Sequence, residues 1–208
     1  MLRSSATQIA LGRVPPVRLD RRQAVALFVI GALGGLVGDA CHVATGTTTY
    51  LDETFPFIWK SQLWFPVAVG LATVTTGELR LRLGPPRPGR NPVEAAAAIA
   101  SVIALYALTA AMTDEDPLTA TVLIWSLAIL IAARFGGGKP ALVCGFAAAV
   151  LGPLAEILIV EAELAMYAPS ADGLFGVAEW LPALYFAFGI VAARLAELIP
   201  ATQPGGRG

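Results

Sequence analysis

The sequence predicts an all-α integral membrane bundle of six transmembrane helices, with both termini cytoplasmic. Three observations carry that prediction. Predominantly apolar runs near ~20 residues recur along the 208-residue chain, and at ~1.5 Å rise per residue such a run crosses a ~30 Å hydrocarbon core. The chain is 56% apolar and only 14% charged, with a mean hydropathy of +0.70, whereas soluble domains are about a quarter charged. Finally, the basic residues between the runs gather on alternate loops, as they do where loops face the cytoplasm.

Residues 1–20 carry Arg3, Arg13 and Arg18 with Pro15-Pro16. The apolar piece from Ile9 to Leu11 is too short for a signal-peptide core, so this stretch reads as a mobile cytoplasmic tail. A six-helix domain is expected over 21–199. Its first span covers about 22–43 and holds Gly31, Gly34, Gly35 and Gly38, two overlapping GxxxG spacings. Small residues so spaced let a second helix approach closely, either inside the bundle or between protomers. Asp39 and His42 stand three apart and share a face.

The second span is expected over about 57–79, with Trp59, Trp64 and Phe65 as an interfacial aromatic belt and Lys60 snorkelling beside them. A basic Pro/Gly connector, Arg80 to Asn91, follows. Pro92 suits the first turn of the third span, about 92–112. An acidic turn, Asp114 to Asp116, leads to the fourth, about 117–134, centred on Trp125. After Gly136-Gly137-Gly138-Lys139-Pro140 comes the fifth, about 141–163, which contains Pro153 and Glu156. Proline removes an N–H and tends to kink a helix. A carboxyl in hydrocarbon is retained mainly where it faces protein or a cavity. The other helices are therefore expected to enclose the fifth, with a pocket between the third, fourth and fifth. The sixth span is expected over about 178–199, and a disordered tail over 200–208.

Arg21, Arg22, Arg80, Arg82, Arg87, Arg90, Arg134, Lys139, Arg194 and Arg207 then lie on the side of the termini. Asp52, Glu53, Asp114 to Asp116, Asp172 and Glu179 lie opposite, where Lys60 is the lone base. Basic residues mark the cytoplasmic side.

Chemistry-bearing motifs are few. Cys41 and Cys144 fall near opposite faces, beyond the roughly 7 Å that a disulfide spans. Two cysteines and one histidine offer no metal-ligand spacing, and a lone histidine no base–nucleophile pair. The Gly136–Lys139 run lacks the spacing and preceding strand of a phosphate loop. No basic stripe with interleaved aromatics is present, which speaks against nucleic acid as a partner.

From Arg21 to Leu198 the chain resembles the Insig family of six-span membrane regulators. Ser61-Gln62-Leu63-Trp64-Phe65-Pro66 is similar to a family segment with Ser, paired Trp and Pro. The fifth span ends its aliphatic run at Glu156, where the family tends to have Gln. Glu179-Trp180-Leu181-Pro182 and the following ALYFAFGIVAARLAEL resemble the family's Ser-Trp-Leu-Pro, aromatic pair, small residues and Arg-containing end. The resemblance implies a non-enzymatic, sterol-responsive regulator that binds lipid and grips other membrane proteins. The family's acidic residue after the fourth span has no counterpart in Ala133 to Gly138, so the sterol-regulated escort partner is not expected here.

The expected function is thus a lipid-binding regulator or scaffold without catalysis or cofactor. It would hold a neutral lipid with a small hydroxyl head, sterol-like or diacylglycerol-like, and the composition looks bacterial, which favours diacylglycerol. Expected lipid-binding residues are Ser101, Tyr106, Thr109, Thr119, Trp125 and Glu156. The resemblance places ligand contact near the third and fourth spans, but hydroxyls there also bond to helix carbonyls. Other membrane proteins and a second copy of the chain are the expected partners. The location is the plasma membrane if bacterial and the endoplasmic reticulum if eukaryotic. The rival readings are a small proton-coupled transporter using Asp39, His42 and Glu156, and a lipid-directed enzyme built on Asp114 to Asp116.

Overall fold

The computed structural model describes residues 18–51, 55–87 and 91–199. The predicted tails, 1–20 except its last three residues and 200–208, lie outside these ranges, as do Asp52, Glu53 and Arg90. Six helices follow in order: α1 (Arg21–Thr45), α2 (Trp64–Arg82), α3 (Pro92–Ala111), α4 (Pro117–Phe135), α5 (Lys139–Glu161) and α6 (Leu181–Leu198). Five of them are long and apolar enough to cross a membrane. The exception is α2, whose last turns carry Glu78, Arg80 and Arg82.

The helix starts follow local chemistry. Asp20 caps α1 by accepting from the Gln23 amide at 2.8 Å, and the Gln23 side chain accepts from the Asp20 amide at 3.0 Å. This reciprocal bonding satisfies two otherwise orphaned donors. Asn91 caps α3, and Asp116 caps α4 by accepting from the Thr119 amide at 2.9 Å. Each of those two helices has proline at its start, where no N–H is needed. The acidic turn thus contributes a helix cap.

Two short ribbons close one end of the bundle. β1 (Thr48–Tyr50) pairs antiparallel with β4 (Ala165–Tyr167), with Thr48 opposite Tyr167 and Tyr50 opposite Ala165. β2 (Phe57–Ile58) pairs with β3 (Ser61–Gln62) through a turn at Trp59, whose φ is 57°. The second span therefore does not begin at 57: those residues form a hairpin, and the helix starts at Trp64. An apolar run this short fits a strand as readily as a helical turn. The other expected spans match the helices to within about three residues, the usual uncertainty of helix ends.

A second correction concerns the centre. α6, not α5, is the enclosed helix: 78% of its apolar stretch is buried, against 22% for α5. α1 to α5 all pack on α6. α5 reaches it through paired glycines. A methyl on Gly189 would meet the Cys144 carbonyl at 2.6 Å and the Gly145 backbone at 2.9 Å. The glycines of α1 likewise serve packing within the bundle, since a methyl on Gly31 or Gly35 would collide with Thr73 or Val69 of α2. Close backbone approach at small residues is how helices gain contact where no hydrophobic drive separates protein from lipid.

The opposite end is held by charge. Glu197 on α6 accepts from Arg80, from Arg87 at 3.0 Å and from Arg194 at 2.7 Å. Arg194 also donates to Glu94 at 2.8 Å. Arg87 donates onward to the Phe135 and Gly136 carbonyls at 3.1 and 3.2 Å. One buried carboxylate thereby ties α2, the connector after it, α3, the end of α4 and α6 together.

Candidate functional site

A cavity of ≈360 Å³ lies among α1, α2, α3, α5 and α6, within the ordinary size range of ligand pockets. Small residues make the room: Gly31, Gly34 and Gly35 on α1, Ala68 and Ala72 on α2, Ala148 and Gly152 on α5. The wall residues that stay exposed are Ala68, Ala72 and Thr75 of α2 with Leu151 and Ala155 of α5. The cavity therefore opens sideways between those two helices, toward the hydrocarbon of a surrounding bilayer. The hydroxyls of Thr73 and Thr75 bond back to the Val69 and Leu71 carbonyls of their own helix at 2.8 and 2.9 Å, so this part of the wall is effectively apolar.

The far end is polar. Glu156 of α5, 8% exposed, accepts from the Tyr185 hydroxyl of α6 at 2.8 Å, and Tyr167 of β4 lines a smaller space beside it. Gly152, one turn before Glu156, gives the Tyr185 ring its place: a methyl there would overlap the ring. Gly38 does the same for Tyr106 of α3. The Tyr106 ring stands edge-on to His42 at 4.7 Å. The Thr109 hydroxyl donates to the Tyr106 carbonyl at 2.6 Å, which leaves a lone pair for the His42 Nε2–H at 2.8 Å. Asp39 accepts from the Tyr50 hydroxyl at 2.5 Å. Burial, then the Asp39 charge, pushes the Tyr50 phenol up, so it stays protonated and donates.

Of the residues expected to touch lipid, Tyr106 and Glu156 line the cavity. Thr109 sits behind Tyr106, on His42. The other three lie elsewhere. Ser101 bonds to the Ala97 carbonyl at 2.8 Å, Thr119 to its capping Asp116 at 3.0 Å, and Trp125 packs against Phe186 at 5.8 Å. No residue of α4 lines the cavity, so the space is not between the third, fourth and fifth spans. Asp39 and His42 are buried, at 4% and 2% exposure, and face a smaller chamber with Glu156. Cys41 and Cys144 are free thiols. Tyr185, Tyr50, Tyr167 and the small residues of α2 escaped the sequence reading. One signal was available: Gly152 and Glu156 stand four apart, hence on one helix face.

No family model matches the chain. A curated relative, the INSIG protein homolog of Mycolicibacterium vanbaalenii, is 44% identical over 188 residues, which is 90% of this chain and 92% of the relative. The chain belongs to the Insig family. Among solved structures, the mycobacterial Insig homolog MvINS from the same organism superposes with a TM-score of 0.85 at 44% identity, covering 88% of this chain and 96% of that one. A cross-linked MvINS trimer matches equally well, with a TM-score of 0.85 at 43% identity and the same coverage. The likeness covers most of the chain and five helices are apolar enough to cross a membrane, so this Insig homologue is an integral membrane protein.

Proposed function

We propose that this Insig homologue is a non-catalytic membrane regulator that holds a lipid in the cavity among α1, α2, α3, α5 and α6. The observation that carries the reading is the shape of the space. It is an apolar hollow of ≈360 Å³, open sideways between α2 and α5 and closed at one end by the Glu156–Tyr185 pair. An acyl or ring system enters from the bilayer, and a small hydroxyl head, sterol-like or diacylglycerol-like, meets the carboxyl. Occupancy alters what the bundle grips only by the lipid's differential affinity for two states. The related MvINS was solved as a cross-linked trimer, and a homo-oligomer is proposed here too, beside other membrane proteins as partners. Both termini face the cytoplasm in this reading, and the membrane is the plasma membrane of a bacterium or the endoplasmic reticulum of a eukaryote.

Native mass spectrometry of the protein purified from its membrane tests the reading. One neutral lipid per chain is expected. Repeated recovery of lipid-free protein overturns it.

A second reading has one observation in its favour. Asp39, His42 and Glu156 line a common chamber, as coupling groups of a proton-linked transporter would. It requires pH-dependent flux in liposomes that disappears in Glu156→Gln.

A further inference from the structure

Two tight turns at the ribbon end hold aromatic residues in a backbone conformation that aromatics rarely adopt. Trp59 takes the first central position of the β2–β3 turn, where Ile58 faces Ser61, and its φ is 57°. Phe175 does the same between Leu174 and Val177, which exchange both backbone hydrogen bonds at 2.8 and 3.2 Å. Its φ is 55° and that of Gly176 is 86°. Such positions favour glycine, asparagine or aspartate, and a bulky side chain there is sterically strained. Burial does not offset the strain. Trp59 is 73% and Phe175 79% exposed. Phe55, Phe57, Ile58 and Lys60 around Trp59 are exposed as well.

Both tips stand at the ends of the two helices that frame the cavity mouth. The β2–β3 hairpin leads directly into α2. Gly176 rests on the last turn of α5, since a methyl on it would meet the Val160 side chain at 3.2 Å. From the hairpin, exposed Leu63, Val67 and Leu71 run down α2 at four-residue spacing, and Leu154 and Leu158 are exposed on α5. Residues so spaced share a helix face, so the apolar surface of the tips is continuous with faces turned to lipid. Lys60 is the one Lys or Arg among the described residues of this end. Trp beside Lys suits a headgroup layer, where the indole sits at the boundary and the ammonium reaches outward to phosphate. Lysine is depleted from protein interfaces, which argues against a protein as the occupant. We propose that the Trp59 and Phe175 turns are a two-point anchor in the headgroup–acyl boundary of the ribbon-side leaflet. Ala68 stands four residues past the start of α2 and Ala155 six before the end of α5, or ~6 and ~9 Å along the helix axes. The anchor therefore sets the mouth just beneath that boundary. It holds whether or not the cavity carries a lipid.

Tryptophan quenching of the full chain in phosphatidylcholine nanodiscs, one chain per disc, tests the anchor. Bromine placed near the head or near the tail end of the lipid acyl chains is compared with iodide in the water. The difference between wild type and Trp59→Phe isolates the first tip, and Phe175→Trp added to Trp59→Phe reports the second. At each tip, head-proximal bromine is expected to quench at least about twofold more than either other quencher. Stronger quenching by iodide or by tail-end bromine places the tip in water or in the hydrocarbon core and overturns the anchor. Protection from all three quenchers means that protein covers the tip, which also overturns it. Embedding of one tip alone overturns the two-point arrangement. Should Trp59→Phe fail to fold, a nitroxide on Lys60→Cys, in a background lacking Cys41 and Cys144, reads the same tip. Relaxation by oxygen dissolved in the lipid then supports the anchor, and relaxation by an aqueous nickel chelate overturns it.

Discussion

A single hydrogen in place of a methyl sets where the two cavity tyrosines lie. The Cβ that an alanine would bring to Gly152 overlaps the Tyr185 ring, and the one at Gly38 overlaps Tyr106. Overpacking of this kind costs about 1–3 kcal/mol, more than the ~1 kcal/mol that alanine gains over glycine in a helix. Gly152→Ala is therefore expected to lower the unfolding midpoint in detergent and to pull the Tyr185 hydroxyl off Glu156. Gly34→Ala is the control. Its methyl would meet only Ile103, at 3.9 Å, so the midpoint should hold or rise, and a fall equal to that of Gly152→Ala would refute the argument. A second contrast lies at the charged end. The Glu197 side chain is 1% exposed among its arginines, and Glu197→Gln leaves the buried Arg80 guanidinium without its carboxylate at a cost of about 3–5 kcal/mol. Arg82, 57% exposed beside Glu78, belongs to a surface pair, and Arg82→Gln should change stability by less than about 1 kcal/mol. Equilibrium unfolding of the two variants side by side checks the difference.

At the level of helices, the mouth between α2 and α5 makes a prediction of its own. Ala155 lines the cavity and is exposed, so a larger side chain there obstructs passage without entering the core. Ala155→Trp is expected to slow exchange of a labelled lipid by about tenfold or more, the effect of ~1.4 kcal/mol on a barrier. The unfolding midpoint and the final lipid stoichiometry should stay near wild type. Unchanged exchange would place the entry elsewhere. The helices themselves were legible in the sequence, because length and hydropathy are properties of a run. Their ranking was not. Lipid tails are as apolar as leucine, so an apolar face reads alike whether it meets protein or bilayer, and Pro153 with Glu156 drew attention to α5. The signs pointing to α6 were its charges, Arg194 and Glu197, which a span keeps only where partners surround them. Those partners, Arg80, Arg87 and Glu94, lie about a hundred residues away in the chain. No local pattern announces them. The hairpin at 57–62 was misread for another reason: buried Ser61 and Gln62 sit in a run whose aromatics mimic an interfacial helix start.

For the whole molecule, the two ends of the bundle differ in kind. One end gathers Arg80, Arg87, Arg194, Glu94 and Glu197 with the exposed Arg82, Arg134 and Lys139. The other carries the ribbons, the acidic turn and the chamber. This polarity was legible from the start, because the basic residues of alternating loops need no tertiary structure to be counted. What the sequence did not show is that three of those arginines, Arg80, Arg87 and Arg194, also neutralise Glu197, so the basic end is partly internal structure and its free charge is smaller than the count implies. The orientation argument then rests on the exposed bases Arg18, Arg21, Arg22, Arg82, Arg134 and Lys139. It is tested with single cysteines in a background lacking Cys41 and Cys144. Lys139→Cys marks the basic end, and Met166→Cys, exposed on β4, marks the other. In intact bacterial cells a membrane-impermeant maleimide should label Met166→Cys at once and Lys139→Cys only after permeabilisation. Labelling in the reverse order would turn the molecule over and put the chamber on the cytoplasmic side.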